Sequence, residues 1–125
     1  MKKLFLLLIL ISTTAFSYSS NVINGYAVSI YDKNLLEEDI RAKRKTDKDY
    51  NGECYTKIYI FGNLFHEKPR VKIGSSIGHL IKERSIVKNG QIIGKEITYK
   101  HHAVSKGYLE VYYSKKLLDT KVFVK

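Results

Sequence analysis

Residue-by-residue alternation, in short segments rich in β-branched and aromatic side chains, is the feature that most restricts the fold of this chain. The clearest case is the segment from Glu53 to Phe61. One face of it is small or aliphatic and consists of Cys54, Thr56, Ile58 and Ile60. The other face is aromatic and basic and consists of Tyr55, Lys57, Tyr59 and Phe61. A period of two residues predicts a half-buried β-strand.

Other segments carry the same signal between turn residues. Alternation predicts strands over Gly25 to Tyr31 and over Arg70 to Ile73, the second of which begins directly after Pro69. A hairpin is predicted at the end of the chain, with strands over residues 108–113 and 117–124. Residues 35–40 fit either one helical turn capped by Asn34 or an edge strand. Residues 41–52 show no apolar pattern and are predicted to be a solvated loop.

Residues 76–90 fit two templates. As a helix, the segment would be capped by Ser76 and would end at Asn89 and Gly90. As a hairpin, Asn89 and Gly90 would form a two-residue turn between strands over residues 80–88 and 91–99. The hairpin is favoured, because the second half reads as a strand in either case.

These elements predict an all-β fold, a small antiparallel β-sandwich of immunoglobulin-like type. The alternatives are an α+β fold with one short helix near residues 76–88 and a small barrel. The C-terminal hairpin resembles the closing strands of many bacterial immunoglobulin-like domains. That resemblance covers the last ~20 residues, implies only the fold and brings no functional residues with it.

The N-terminus predicts export. Lys2 and Lys3 precede the apolar run from Leu4 to Ile11, and small and hydroxylated residues follow, as in a secretory signal peptide. Cleavage is expected after Ser17, with Ser19 as the alternative, so that residues 1–17 are the signal peptide and residues 18–125 a single domain. The run is shorter than the ~20 residues of a membrane span, although an uncleaved anchor is the alternative. A periplasmic or secreted protein is predicted.

The chain is strongly basic, with 22 Lys and Arg against 12 Asp and Glu. Removal of the signal peptide would leave a formal charge of +8, from 20 basic and 12 acidic side chains. The densest basic run consists of Arg41, Lys43, Arg44, Lys45 and Lys48. It is interpreted either as a solvated loop or as a contact for lipid headgroups, acidic glycans or an acidic protein. Nucleic acid is not an expected partner, because export removes the protein from it.

Aromatic and basic side chains also alternate on one predicted strand, where Tyr55, Lys57 and Tyr59 form a second candidate binding surface. Tyr108 and Tyr112 repeat the pattern. The alternative is that these aromatic side chains form cross-strand pairs that stabilise the sheet.

Two patterns of chemically reactive residues are present, and neither predicts catalysis. Residues 74–78 match Gly-x-Ser-x-Gly, in which Ser76 would be a nucleophile, but that elbow needs a parallel sheet with crossover helices. The histidines at positions 66, 79, 101 and 102 do not have the spacing of a zinc module, even with Cys54. No metal or cofactor is expected. Cys54 is predicted to be buried, with a disulfide to another chain as the alternative.

The sequence therefore predicts an exported, non-enzymatic β-sandwich that binds a macromolecular partner or an anionic envelope surface. A secreted inhibitor or effector that acts on another protein is the alternative. A third hypothesis is a serine hydrolase that uses Ser76 as its nucleophile. No feature of the sequence indicates an oligomeric state.

Overall fold

The computed structural model of the chain describes residues 22–63 and 67–125, which form nine strands and no helix. No segment of these two ranges is therefore a helix that could cross a membrane. The predicted signal peptide lies outside the described residues. The strands are β1 (Asn24–Tyr31), β2 (Glu37–Asp39), β3 (Gly52–Phe61), β4 (Arg70–Ile73), β5 (Ser76–Ile77), β6 (His79–Lys88), β7 (Gln91–Val104), β8 (Gly107–Tyr113) and β9 (Lys116–Val124).

Two antiparallel sheets pack against each other. The first has five strands in the order β2-β1-β3-β7-β6, and the second has four in the order β5-β4-β8-β9. The predicted antiparallel β-sandwich is thus confirmed. The alternative helix near residues 76–88 is wrong, because these residues form β5 and β6.

The core lies between the two sheets and is mainly aliphatic, with the buried rings of Tyr50 and Tyr99 among its residues. Alternation along β3, β4 and β8, and along parts of β7 and β9, turns every second side chain inward, which removes it from water. The fully buried aliphatic residues of β3, β4, β7, β8 and β9 are Ile58, Ile60, Val71, Ile73, Ile97, Leu109, Val111, Val122 and Val124.

The turn between β6 and β7 explains why the hairpin forms. Asn89 and Gly90 both have positive φ angles, 52° and 76°, and they connect the paired residues Lys88 and Gln91. Two consecutive positive φ angles define the type I′ turn, which Asn-Gly adopts with little strain and whose twist suits a hairpin. The favoured interpretation of this segment is confirmed.

Simple alternation in β1 was a wrong prediction. Four consecutive residues, Ala27 to Ile30, are buried, because the pairing with β3 shifts between Ala27 and Ser29. Such a β-bulge places an extra residue in one strand and interrupts the two-residue period. The Ala27 amide donates a hydrogen bond to the carboxylate of Asp119 on β9 (2.9 Å).

The ambiguous segment at residues 35–40 contains the edge strand β2. The carboxylate of Asp32 accepts hydrogen bonds from the amides of Asn34 (2.9 Å) and Leu36 (3.0 Å). This turn reverses the chain and brings Tyr31 opposite Glu37.

Candidate functional site

The segment between β2 and β3, residues 40–51, contains the basic run and is here called the basic loop. It is hydrogen-bonded along the end of β9. The Thr46 amide donates to the carbonyl of Phe123 (2.9 Å), and the Phe123 amide donates to the carbonyl of Arg44 (2.8 Å). The Tyr50 amide donates to the carbonyl of Lys125 (2.8 Å). Thr46 and Tyr50 are buried. The prediction of a fully solvated loop is therefore wrong, because hydrogen bonds to β9 order this segment.

A buried carboxylate holds this loop in place. Glu38 accepts hydrogen bonds from the hydroxyl of Tyr50 (2.8 Å), the amide of Asp47 (2.7 Å) and the ammonium group of Lys43 (3.0 Å). Burial by itself would raise the pKa of Glu38, but these donors outweigh it and leave the pKa below its usual value. Glu38 is therefore charged at neutral pH and stabilises the loop.

The five basic residues of the predicted contact region divide into two groups. Three are held by carboxylates: Arg41 by Asp39 (2.6 Å), Lys43 by Asp47 (2.6 Å) and Glu38, and Lys48 by Asp32 (3.0 Å). The hydrogen bond from Arg41 lowers the pKa of Asp39 to about 2. Arg44 and Lys45 are exposed and form no ion pair with the described residues. Only this second group leaves its charge available to a ligand.

One of these two residues lines a cleft, which we call the lysine cleft. It has a volume of about 480 Å³ and lies between the basic loop, the turn after β7 and the end of β9. Its lining residues are Lys45, Asp49, Asn51, Ser105, Lys106, Phe123 and Lys125. Of the eight predicted binding residues, Lys45 is the one that lines it.

The lysine cleft carries a surplus of positive charge. Three lysines, Lys45, Lys106 and Lys125, line it with one acidic side chain, Asp49, and none of the three lysine side chains forms an ion pair with the described part of the chain. Phe123 adds an aromatic surface to the lining, and its ring packs edge-on against Tyr108 with centroids 5.2 Å apart. The cleft therefore combines ammonium groups with an aromatic surface.

Sequence reasoning did not find Lys106 and Lys125. Each lies far from the basic run along the chain, and neither belongs to a dense charge pattern of its own. The hydrogen bonds between the basic loop and β9 bring Lys125 close to Lys45. Lys106 reaches the same cleft because it lies in the turn that follows β7. No pattern in the sequence encodes these distant contacts.

The second candidate surface is the outer face of the five-stranded sheet, here called the tyrosine face. The inward residues of β3 are buried, so the predicted division of its two faces is confirmed. Tyr59 packs against Tyr26 with ring centroids 5.9 Å apart and against Phe61 at 6.3 Å. Tyr55, Lys57 and Tyr59 are half-buried on this face.

The cations on the tyrosine face are largely neutralised by neighbouring groups. Lys57 lies 3.4 Å from the Glu37 carboxylate and 3.7 Å from that of Glu96, and it also lies over the ring of Tyr31. Lys100 lies over the ring of Tyr55 and 3.5 Å from the Glu53 carboxylate. These contacts stabilise the sheet. A ligand-binding role for Tyr55, Lys57 and Tyr59 stays a prediction.

Ser76 does not occupy a nucleophile elbow. It lies in the two-residue strand β5, and another strand follows it where the elbow requires a helix. Its hydroxyl is nearly buried and donates to the carbonyl of His102 (2.6 Å). The Ser76 proton is thus directed to a main-chain acceptor instead of a histidine ring.

His101 and Cys54 face each other across β7 and β3, and both side chains are fully buried. The Nε2 atom of His101 lies 2.8 Å from the hydroxyl of Thr56, whereas Nδ1 has no hydrogen-bond partner. Burial lowers the pKa of His101 to about 4 and raises the pKa of the Cys54 thiol to about 12. The prediction that Cys54 is buried is confirmed.

Of the other histidines in the described ranges, neither His79 nor His102 forms a metal site with this pair. His102 is exposed, as expected from its position next to the inward-facing His101. His66 lies outside the described residues. Within the described ranges, no three His, Cys, Asp or Glu side chains are grouped closely enough to hold a metal ion.

Comparisons of the chain with protein-family models, with curated proteins and with solved structures found no match.

Proposed function

We propose that this protein is an exported, non-enzymatic β-sandwich that binds an anionic macromolecular partner or envelope surface through the lysine cleft. The observation that carries the proposal is the convergence of Lys45, Lys106 and Lys125 in one concavity. The predicted signal peptide supports export, and the positive charge of the processed chain supports an anionic partner.

The physical reason for choosing this cleft is the availability of its charge. An ammonium group that already contacts a carboxylate gains little from a second anion, whereas one without such a partner can bind it directly. Concave sites also concentrate the electrostatic potential of their lining charges. A carboxylate, sulfate or phosphate group bound in the cleft would lie among lysine side chains, with Phe123 beside the apolar part of the ligand.

Charge removal in the cleft tests this proposal. The triple variant Lys45→Gln, Lys106→Gln and Lys125→Gln is expected to elute from immobilised heparin, a sulfated polysaccharide, at a clearly lower NaCl concentration than the wild type. The reason is that salt screens the attraction between the polyanion and the ammonium groups. The measurement is the NaCl concentration at elution, with circular dichroism to verify the fold.

A matched control separates the cleft from net charge. The variant Lys68→Gln, Lys115→Gln and Lys116→Gln loses the same charge from exposed lysines. Lys115 and Lys116 lie at the far end of β9, roughly 20 Å from the cleft at about 3.3 Å per residue. This control is expected to elute close to the wild type. Equal shifts for the two triple variants would show that net charge alone causes retention, and the proposal would fail.

A further inference from the structure

The hairpin of β6 and β7 extends beyond the rest of its sheet. The last residue of β3, Phe61, pairs with Gly94 of β7. Past that point the two hairpin strands continue to pair with each other, and Val87 lies opposite Ile92. Residues 87–92 therefore form a projecting two-stranded ribbon, and Ile93, whose carbonyl accepts a hydrogen bond from the Gly62 amide (3.2 Å), lies at its base. We call residues 86–93 the hairpin tip.

The hairpin tip is apolar although it is exposed. Val87 and Ile92 are 61% and 69% exposed, and Ile93 is 36% exposed. Ile86 is half-buried beside them. Two-stranded ribbons have little stability of their own in water, and exposed clusters of aliphatic side chains commonly mark interaction sites.

Basic side chains flank this apolar cluster. Lys88 adjoins the turn and Lys82 lies further along β6, and both are exposed without a carboxylate partner among the described residues. Arg84 and Lys95 are already paired, with Glu96 (3.0 Å) and Glu83 (3.0 Å). Lys88 and Gln91 close the turn at the end of the hairpin, and the paired Val87 and Ile92 lie directly behind them. Exposed aliphatic side chains and cations without a described carboxylate partner are therefore neighbours in the hairpin tip.

Two of the registers in which a second copy of the chain would pair with the free edge of β6 are unfavourable. If two copies of β6 paired edge to edge around a two-fold axis, the strands would be antiparallel and the axis would pass beside one residue. That residue would face the same residue of the other copy. Centring on Glu83 or Arg84 places like charges opposite each other, and centring on Glu83 also sets Lys82 against Arg84. Like charges directly opposite each other destabilise strand pairing, and the bulges in β6 hinder it further.

A folded protein partner also suits the tip poorly, because stable protein interfaces bury on the order of 1,200–2,000 Å². Four aliphatic side chains on a narrow ribbon do not supply such an area. A lipid surface needs no matching shape, and partitioning into it strengthens with each apolar side chain and each cation near anionic headgroups.

We propose that the hairpin tip binds an anionic lipid surface, with Val87 and Ile92 in the apolar part of the interface and the long side chains of Lys82 and Lys88 reaching the headgroups. This site is separate from the lysine cleft and goes beyond the function proposed for that cleft. The type I′ turn makes the inserting element compact and keeps the two apolar strands in register.

Binding to lipid vesicles tests the insertion. The wild type is expected to co-sediment with vesicles of phosphatidylglycerol and phosphatidylcholine and to bind weakly to phosphatidylcholine alone. The variant Val87→Ser and Ile92→Ser is expected to bind at least about tenfold more weakly to the mixed vesicles, because it loses apolar area at the interface. The matched control Leu35→Ser and Leu36→Ser removes exposed aliphatic side chains from the opposite end of the sheet and is expected to bind normally.

A fluorescent label separates insertion from adsorption through the lysine cleft. Cys54 is buried, so a new Cys at Gln91→Cys can be labelled selectively with an environment-sensitive fluorophore. Its emission is expected to shift to shorter wavelength with mixed vesicles, whereas a label at Lys33→Cys is expected to stay unchanged. The triple cleft variant is expected to retain the shift. Absence of vesicle binding by the wild type, equal binding of the Ser variant, or an unchanged emission at position 91 would each overturn the proposal.

Discussion

Replacement of Glu38 by Ala is expected to lower the free energy of unfolding by about 3 kcal/mol. The Glu38 carboxylate accepts hydrogen bonds from Tyr50, Asp47 and Lys43, and it is 8% exposed. Its removal leaves the buried Tyr50 hydroxyl and the Asp47 amide without an acceptor. Each unsatisfied buried donor costs about 1–3 kcal/mol. Urea-induced unfolding at neutral pH is the measurement.

Two further variants make the Glu38 experiment specific. Glu67→Ala removes an exposed carboxylate and is expected to change stability by less than about 0.5 kcal/mol. Tyr50→Phe removes one donor, and a double-mutant cycle with Glu38→Ala is expected to give a coupling energy of about 1 kcal/mol. A Glu38→Ala variant as stable as Glu67→Ala would contradict the anchoring role of this carboxylate.

Because Glu38 orders the loop that contributes Lys45 to the lysine cleft, its loss is also expected to weaken heparin retention in protein that remains folded. The weaker heparin retention is expected because the loop changes position, since the charge of the cleft lysines is the same in this variant. The Glu38→Ala protein gains a net positive charge, so a reduction in its retention would have no simple electrostatic cause.

Acidification is expected to destabilise the protein before its carboxylates begin to titrate. Burial lowers the pKa of His101 from 6.5 to about 4, so the folded state binds this proton less readily than the unfolded state. Stability contributed by neutral His101 is complete above pH 6.5 and falls as pH decreases toward 4. The full difference corresponds to about 3 kcal/mol, since one pKa unit is worth about 1.4 kcal/mol.

The groups around His101 support this assignment. Thr56 and Cys54 face it from β3, and the nearby His79 and His102 lower its pKa further, while an interaction with the Ser76 backbone partly opposes the shift. The carboxylates with lowered pKa values, such as Glu38 and Asp39, lose their contribution only as pH falls through and below about 4. The change in the free energy of unfolding between pH 6.5 and 5 is therefore assigned to His101.

The measurement is the free energy of unfolding at successive pH values across that interval. The variant His101→Gln is expected to remove the slope, whatever its stability at neutral pH, because it cannot be protonated there. His102→Gln, at an exposed position, is expected to keep the slope. A flat profile in the wild type, or an unchanged slope in His101→Gln, would rule out a buried neutral histidine at this position.

Much of the fold could be predicted from local patterns. The alternation in β3, the Asn89–Gly90 turn and the C-terminal hairpin are all confirmed, because side-chain period and turn geometry depend on neighbouring residues. Failures occurred where contacts between distant residues decide the outcome. The bulge in β1 breaks its alternation, and the basic loop is ordered by hydrogen bonds to β9.

The same distinction applies to the candidate site. Composition and charge runs alone indicated a basic protein and identified Lys45. The tertiary structure decided which cations are available, because ion pairing depends on distances between residues that are far apart in sequence: it pairs Lys48 with Asp32 and Lys57 with Glu37, and it brings Lys106 and Lys125 to Lys45. Charge is a property of the sequence, whereas its neutralisation is a property of the fold.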